Sequence, residues 1–506
     1  MSAQAQPQPP AHASTALPAD EADVLVLGGG GSGLAAASEA ARAGARVILL
    51  EKNPRIGGST AWSVGSYSST GTPHQRRAGI RDDTPQAHFE DLGKFAGALE
   101  SRDNLTLRRI LVEEALSTFQ WLLENGLVFM GPALEKPHRQ PRMHNVVPGS
   151  KAYPYHLGRL CERLGVDLRI STRATALRQE AGRVVGVDAL DAGGRPRFFR
   201  ARRAVVITSG DYSGGKELKA RYASPVTAAS DAVNVTNTGD GHSMALSIGA
   251  SVVNGDLIHG PILRFVAPQR PSLISRLPPY KWVGHAATFA MSHAPQALIR
   301  PVLMSFVTTV LGPDSGLYRA GAVLVNQAGA RFTNELDKPA HDLVGQSGGV
   351  GYIVLDSRMA AQFSAWPNFI STAPNVAYAY LPDYRRNRPD IYHEAASAGE
   401  LAATLGMDPQ QLATSMQGGS TGTALTAPPF IALGPVKSYV VLTEGGLQVT
   451  ERHEVIGDGG NVIPGLFAAG SAGQGGLLLY GHGHHLAWAF VSGRRAGRHA
   501  AATPAS

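Results

Sequence analysis

The sequence Gly28-Gly29-Gly30-Gly31-Ser32-Gly33 lies between an apolar run, Val24 to Leu27, and an Ala-rich stretch, Leu34 to Ala43. The spacing Gly28-x-Gly30-x-x-Gly33 has a mechanism. Gly28 permits a tight turn, Gly30 lets the backbone approach a pyrophosphate, and Gly33 lets a helix pack closely on a strand. The N-terminus of that helix, with Ser32 in its first turn, then faces the phosphates. A second apolar run, Arg46 to Leu50, ends in Glu51, which is placed to accept hydrogen bonds from a ribose 2′-OH and disfavours a 2′-phosphate.

Further candidates follow the same ligand. Lys52-Asn-Pro-Arg-Ile-Gly57-Gly58-Ser59-Thr60 brings a second glycine pair and hydroxyl side chains directly after Glu51. Ala204 to Gly210 and Val462 to Gly470 each read as a strand ending in a small-residue turn. Several separated segments converging on one ligand fit a large dinucleotide such as FAD better than NAD. Near the C-terminus, Tyr480-Gly-His482-Gly483-His484-His485-Leu486 crowds three imidazoles into one loop. No Cys or carboxylate stands beside them in sequence, so they are read as polar residues at a helix start and no metal site is expected.

The elements that must position these residues follow from period and punctuation. Strand, glycine turn, helix and strand make a βαβ unit. Asp82 to Leu127 reads as largely helical and Ala152 to Leu164 as another helix. Asp167 to Ile170 reads as a strand, and Thr175–Gln179 with Val184–Leu190 as a hairpin. Ala204 to Ile207 and Gly465 to Ala469 are further strands, and Leu486 to Ala500 a closing helix. The fold class is α/β: a split Rossmann-type nucleotide domain (residues 23–258 and 434–506) with an inserted α+β capping domain (259–433). Residues 1–22 read as a disordered tail without a secretory signal.

With 506 residues, 43% hydrophobic and 17% charged, the chain is globular. A net charge of +7 without a basic, aromatic-interleaved run argues against nucleic-acid binding. Cys161 is the only cysteine, which excludes an intramolecular disulfide and a Cys-based cluster. No stretch reaches the ~18 apolar residues of a membrane helix, Pro301 to Leu311 being read as a buried element or pocket wall. A cytoplasmic protein is the resulting expectation.

The chain resembles the FAD-dependent flavoproteins of the fumarate reductase/succinate dehydrogenase type, which include the 3-ketosteroid dehydrogenases. The resemblance rests on VLVLGGGGSGLAAASEAARAGARVILLEKNPRIGGST, GRVVGV, ARRAVVITSGDYSGG, NTGDGHSMALSIGA, GAVLVNQAGARFTNE, EGGLQV and VIPGLFAAG with SGRRAGRHAA, in that order. It implies FAD held by Gly28, Gly30, Ser32, Gly33, Glu51, Lys52, Gly58, Ser59, Thr60, Gly210, Asp240, Gly470, His485 and Leu486. The family attaches flavin covalently through a His before the glycine pair. Asn53-Pro-Arg-Ile stands there instead, so a non-covalent cofactor is expected.

The same resemblance tests the reaction. The family's carboxylate-clamping Arg falls at Tyr480, its His at Leu442, and its proton-donating Arg has no counterpart near Asn334-Glu335. Only His259, in Leu257-Ile-His-Gly-Pro, persists. A dicarboxylate substrate would be left without its cations, at a cost of several kcal/mol. The ketosteroid dehydrogenase comparison puts Gly483 where a backbone N–H holds a carbonyl and Tyr480 one residue from a catalytic Tyr. Tyr480, Gly483, His259, Tyr318 and His482 are the resulting catalytic candidates, and Tyr67 a substrate-pocket candidate. Aromatic and Pro-rich stretches of the cap (Tyr280, Trp282, Phe289, Phe306, Trp366, Phe369) suggest an apolar pocket. The expectation is an FAD-dependent desaturase of a cyclic or steroid-like ketone; the alternative is an ene-reductase for an unsaturated acid or enone. Either needs an external electron partner: a quinone, a carrier protein or oxygen.

Overall fold

The computed structural model describes residues 19–268, 276–373 and 377–505. The elements used below are β1 (Ala19–Leu27), α1 (Gly31–Arg42), β2 (Val47–Leu50), α2 (Leu105–Glu124), β3 (Pro196–Ile207), β4 (Phe430–Val440), β5 (Val462–Ala468) and α3 (His484–Ala502). The expected βαβ unit forms, with β1 parallel to β2 in the register Val24↔Val47 and Leu27↔Leu50. β3 lies parallel on the other side of β1, and β5 parallel to β3. One sheet therefore runs Glu454–Ile456, β5, β3, β1, β2, Asp167–Arg169, with the hairpin Arg173–Glu180/Arg183–Leu190 alongside β3. The central strands carry Val24, Leu25, Val26, Val205 and Val206 with no exposed surface, as a parallel sheet covered on both faces requires.

Two boundaries differ from expectation. Residues 1–18 of the expected tail lie outside the described residues, but Ala19 to Ala22 belong to β1. They pair with Phe198 to Ala201, and Asp20 takes the Arg197 guanidinium at 2.6 Å. The stretch from Asp82 to Leu127, expected as largely helical, is three pieces: Pro85–Ala96, a 3₁₀ turn Gly97–Arg102, and α2. Gly97 at φ +54° ends the first, and Asn104 caps the last by accepting from the Leu107 N–H at 3.1 Å.

α1 and α3 pack on each other at glycines. A Cβ at Gly493 would stand 2.4 Å from the Ser32 carbonyl oxygen, and one at Gly497 2.2 Å from that of Ala36. Cys161 is buried against this pair, its Sγ 3.4 Å from the Leu34 carbonyl oxygen, and burial pushes its pKa up to about 12. It is a packing residue.

The inserted region builds its own sheet on β4, which pairs antiparallel with Ile262–Phe265, Val350–Leu355 and Tyr392–Ala395. The buried apolar residues accordingly fall into two clusters. One draws on residues between 22 and 250 and between 447 and 501, the other on residues between 265 and 436. Pro301 to Val310 is the body of a helix, Gln296–Val310, that buries Met304 and Val307 and leaves Leu298 and Val302 exposed. The aromatic residues expected to line an apolar pocket include Trp282, Phe289 and Trp366, which are 69%, 66% and 64% exposed and lie on the surface.

The glycine contact between α1 and α3 yields a prediction. Gly497→Val drives a side chain into the Ala36 backbone, where overpacking costs about 1–3 kcal/mol. Thermal unfolding followed by circular dichroism should show a clearly lowered midpoint, whereas Gly399→Val, at an exposed helical site with open space and no positive φ, should lower it less.

Candidate active site

The glycine turn is built as its spacing requires. Gly28 sits at φ +114°, and a Cβ on Gly33 would stand 1.8 Å from the Gly28 carbonyl oxygen, so turn and helix touch backbone to backbone. A Cβ on Gly30 would meet nothing within 4 Å, which leaves the face of the turn open at the residue assigned to phosphate approach. Glu51 is buried at the end of β2. Its Oε2 accepts from the Gly29 N–H at 2.7 Å and its Oε1 from Asn53 N and Nδ2 at 2.8 Å. A carboxylate has about four lone-pair positions, so one remains for a ribose hydroxyl.

The other cofactor candidates gather around this loop. Thr60 Oγ1 accepts from Gly31 N at 3.1 Å, and Ser59 Oγ accepts from Asn234 and Asn237 Nδ2 at 2.8 and 2.9 Å. Gly210, at φ +78°, lies against the same Asn237. Gly470 donates to Ser492 Oγ at 2.8 Å and faces Ser32, whose Oγ a Cβ would meet at 2.6 Å. Lys52 and Asp240, 188 residues apart, form an ion pair at 3.0 Å, with Arg173 also on Asp240 at 3.0 Å. Two cations thus share one carboxylate, which leaves one net positive charge beside the loop.

A second constellation lies where the inserted region joins the nucleotide domain. The short strand Ile258–His259 pairs antiparallel with Leu442–Thr443, and the Glu444 N–H donates to the Leu257 carbonyl at 2.8 Å. This ribbon sets His259 beside Glu444, which has no exposed surface. Glu444 Oε1 accepts from His259 Nε2 at 2.8 Å and lies 3.4 Å from His485 Nε2. Glu444 Oε2 accepts from Gln474 Nε2 and from the Leu479 N–H at 3.3 Å. Burial alone would raise the Glu444 pKa, but the His485 and His259 imidazoles outweigh it and hold the carboxyl well below its usual range. The Tyr480 ring lies over His259 with centroids 4.8 Å apart. Burial and then the Glu444 charge raise the Tyr480 pKa, so its phenol keeps its proton. Gly483, at φ +88°, begins α3 in a backbone conformation suited to glycine, and a Cβ there would strike Ser68 N at 2.6 Å. Leu486 is buried in the first turn of α3.

The structure thus brings together Tyr480, His259 and His485, and sets Gly483 at the start of α3 against Ser68. It does not bring the other candidates to them. Tyr67 is wholly buried between Phe119, Phe129 and Phe490, and its hydroxyl donates to the Ala115 carbonyl at 2.8 Å; it is a core residue, not a pocket residue. Tyr318 is buried in the apolar cluster of the inserted region beside Leu317 and Ala322. His482 turns away to Glu135, with Nδ1 and Oε1 2.5 Å apart, and this hydrogen bond raises its pKa. Glu444 escapes a sequence reading, although one acid inside Tyr439-Val-Val-Leu-Thr-Glu-Gly-Gly-Leu447 signals a buried charge that needs partners.

A family model for the FAD binding domain matches residues 23–262 and 290–480. The chain belongs to this FAD-binding family. It is 27% identical over 513 residues to a probable fumarate reductase of Shewanella frigidimarina (strain NCIMB 400), covering 97% of this chain and 76% of that protein. It is 26% identical to a vinyl phenol reductase of Lactiplantibacillus plantarum (strain ATCC BAA-793 / NCIMB 8826 / WCFS1), covering 95% and 97%. Among solved structures, the open conformation of a flavocytochrome c3 fumarate reductase superposes with a TM-score of 0.72 at 25% identity, over 96% of this chain and 78% of that one. Membership makes the protein an FAD-dependent oxidoreductase with a split Rossmann-type domain and an inserted cap. The open face at Gly30, the remaining lone pair of Glu51 and the Ser32 and Gly33 N–H groups in the first turn of α1 fit the cofactor. No described helix is long and apolar enough to cross a membrane.

The Gly30 geometry separates fold from cofactor. Gly30→Val should leave the circular dichroism spectrum intact, because nothing opposes its side chain. The ratio of flavin to protein absorbance should fall about tenfold or more, because that side chain occupies the phosphate approach.

Proposed function

We propose that the protein reduces the C=C bond of a mono-activated α,β-unsaturated carbonyl compound, an enone or an unsaturated mono-acid, using electrons from an external donor. The observation that carries this reading is the buried Glu444 holding His259 and His485 beneath Tyr480. Tyr480 stands where the family resemblance puts a carboxylate-clamping Arg. A phenol and a backbone N–H hold one carbonyl oxygen well, but they do not neutralise two carboxylates. An anionic Glu444 a few ångströms behind them makes a dicarboxylate still less favourable. The names of the relatives favour reduction over the desaturation expected first, and a vinyl phenol reductase among them is named for a substrate that is not a dicarboxylate.

Bound FAD supplies the two-electron exchange with the substrate; the absence of a His in Asn53-Pro-Arg-Ile supports non-covalent binding. Tyr480 O–H and Gly483 N–H donate to the carbonyl oxygen, whose negative charge grows as the β-carbon is reduced. The start of α3 adds favourable potential to the same oxygen. His259 donates its Nε2–H to Glu444, which leaves Nδ1 as the atom that passes a proton to the α-carbon. Glu444 holds the Nε2–H side of His259 through the transfer, and His485 shares the carboxylate. Water replaces the proton at His259, which is 30% exposed.

Anaerobic turnover with a reduced dye as donor tests the proposal. Enones and unsaturated mono-acids should be reduced and fumarate should not. Bleaching of the oxidised flavin by saturated ketones, with no enone reduction, would instead establish the desaturase. Tyr480→Phe removes one oxyanion donor and should lower kcat about 10²-fold. Glu444→Gln should lower it about 10-fold or more, each with the flavin content retained.

A further inference from the structure

We propose that His88, His138 and His484 form a binding site for one divalent cation of the zinc class, which pins the loop carrying Tyr480 and Gly483. The three imidazoles come from the helix Pro85–Ala96, from the segment before the strand Met143–Val147, and from the first turn of α3. All three are buried, and one ligand atom from each lies within 4.8 Å of the others. His88 Nε2 and His484 Nε2 face each other at 3.2 Å, close to the ~3.3 Å edge of a tetrahedron with metal–nitrogen bonds of about 2.0–2.1 Å.

His484 already presents one nitrogen to a cation. His484 Nδ1 donates to the Tyr480 carbonyl at 2.7 Å, which leaves Nε2 as a lone pair oriented by a backbone carbonyl, the arrangement of a metal-bound imidazole. Without a cation, His88 Nε2–H must donate to His484 Nε2, and two buried atoms have no partner: His88 Nδ1 and His138 Nε2. With a cation, His138 Nε2 becomes a ligand and its proton moves to Nδ1. Asp91 Oδ2 lies 4.0 Å from that Nδ1 and becomes its acceptor after a small ring rotation. Arg142 Nη1, which donates to His138 Nδ1 at 2.8 Å, keeps its bond to Asp91 at 2.7 Å. His88 Nδ1 and the Arg142 N–H that had pointed at His138 Nδ1 then lack a partner, so the proposal rests on how closely the three buried nitrogens converge. Phe95 packs on the rings of His138 and His484 and keeps water from their outer faces.

The site would join three segments around the loop that carries the carbonyl-binding residues. No ligand is an exposed side chain, and the site is distinct from the Glu444 cluster. The proposal does not depend on the reductase reading.

The test uses untagged, FAD-loaded full-length protein, dialysed against chelator and titrated with Zn²⁺ or Co²⁺ alone in competition with a chromophoric chelator. About one equivalent should bind. Co²⁺ should give the intense visible bands of a four-coordinate ion, on the red side of the flavin absorption. His88→Gln and His138→Gln should each weaken binding about tenfold or more, with the flavin spectrum retained. Absence of Zn²⁺ uptake by the wild-type protein would overturn the proposal, as would binding unchanged in both variants, which would place the ion on surface histidines. If neither variant folds, wild-type Co²⁺ decides: a weak six-coordinate spectrum, or none, overturns it.

Discussion

Glu444 brings a negative charge to a place with no exposed surface, and much of the junction between the two regions answers that fact. An ionised carboxylate taken out of water costs several kcal/mol unless donors replace its hydration. The donors come from segments far apart in the chain: His259 from 185 residues earlier, Gln474 and Leu479 from the loop before α3, and His485 from α3 itself. Once they converge, the position of Tyr480 over His259 and of Gly483 at the helix start follows from chain connectivity. The same carboxylate sets the character of the site. A centre built around a buried anion with phenol, imidazole and amide donors polarises one carbonyl group; it does not clamp two carboxylates.

The second organising contact is the approach of α1 to α3 through glycines, and it explains what was legible in the sequence. The βαβ unit could be read because each glycine in it answers to a local requirement: Gly28 at positive φ, Gly33 against the Gly28 carbonyl. The parallel strands were visible as apolar runs for the same reason, being covered on both faces. β3 was visible only in its last four residues. Its first eight residues, Pro-Arg-Phe-Phe-Arg-Ala-Arg-Arg, carry no long apolar run and form a strand because β1 on one side and the hairpin on the other supply hydrogen bonds. That is tertiary context, which no window of sequence contains.

The site was legible in part, and the boundary is instructive. His259, Tyr480 and Gly483 were approachable because they lie at ends of recognisable elements. Tyr67 and Tyr318 show the converse. A tyrosine in an apolar segment is the same residue whether its hydroxyl meets substrate or a core carbonyl, and Tyr67 meets Ala115. The cap aromatics mislead in a related way, since composition cannot tell a pocket wall from a surface: Trp282 and Phe289 face outward. The histidine cluster was illegible altogether, because His88 and His484 stand 396 residues apart and nothing near either points to the other.

The split architecture has a consequence for how the protein comes into being. β5 completes the sheet beside β3, and α3 covers α1, yet both are made near the end of a chain that emerges N-terminus first. A ribosome releases the glycine turn and its helix more than four hundred residues before the segment that closes over them. Throughout that interval the flank of α1 that receives Gly493 and Gly497 has no native partner. The nucleotide domain is therefore completed only once β5 and α3 have been made, by which time the inserted region can already form its own apolar cluster.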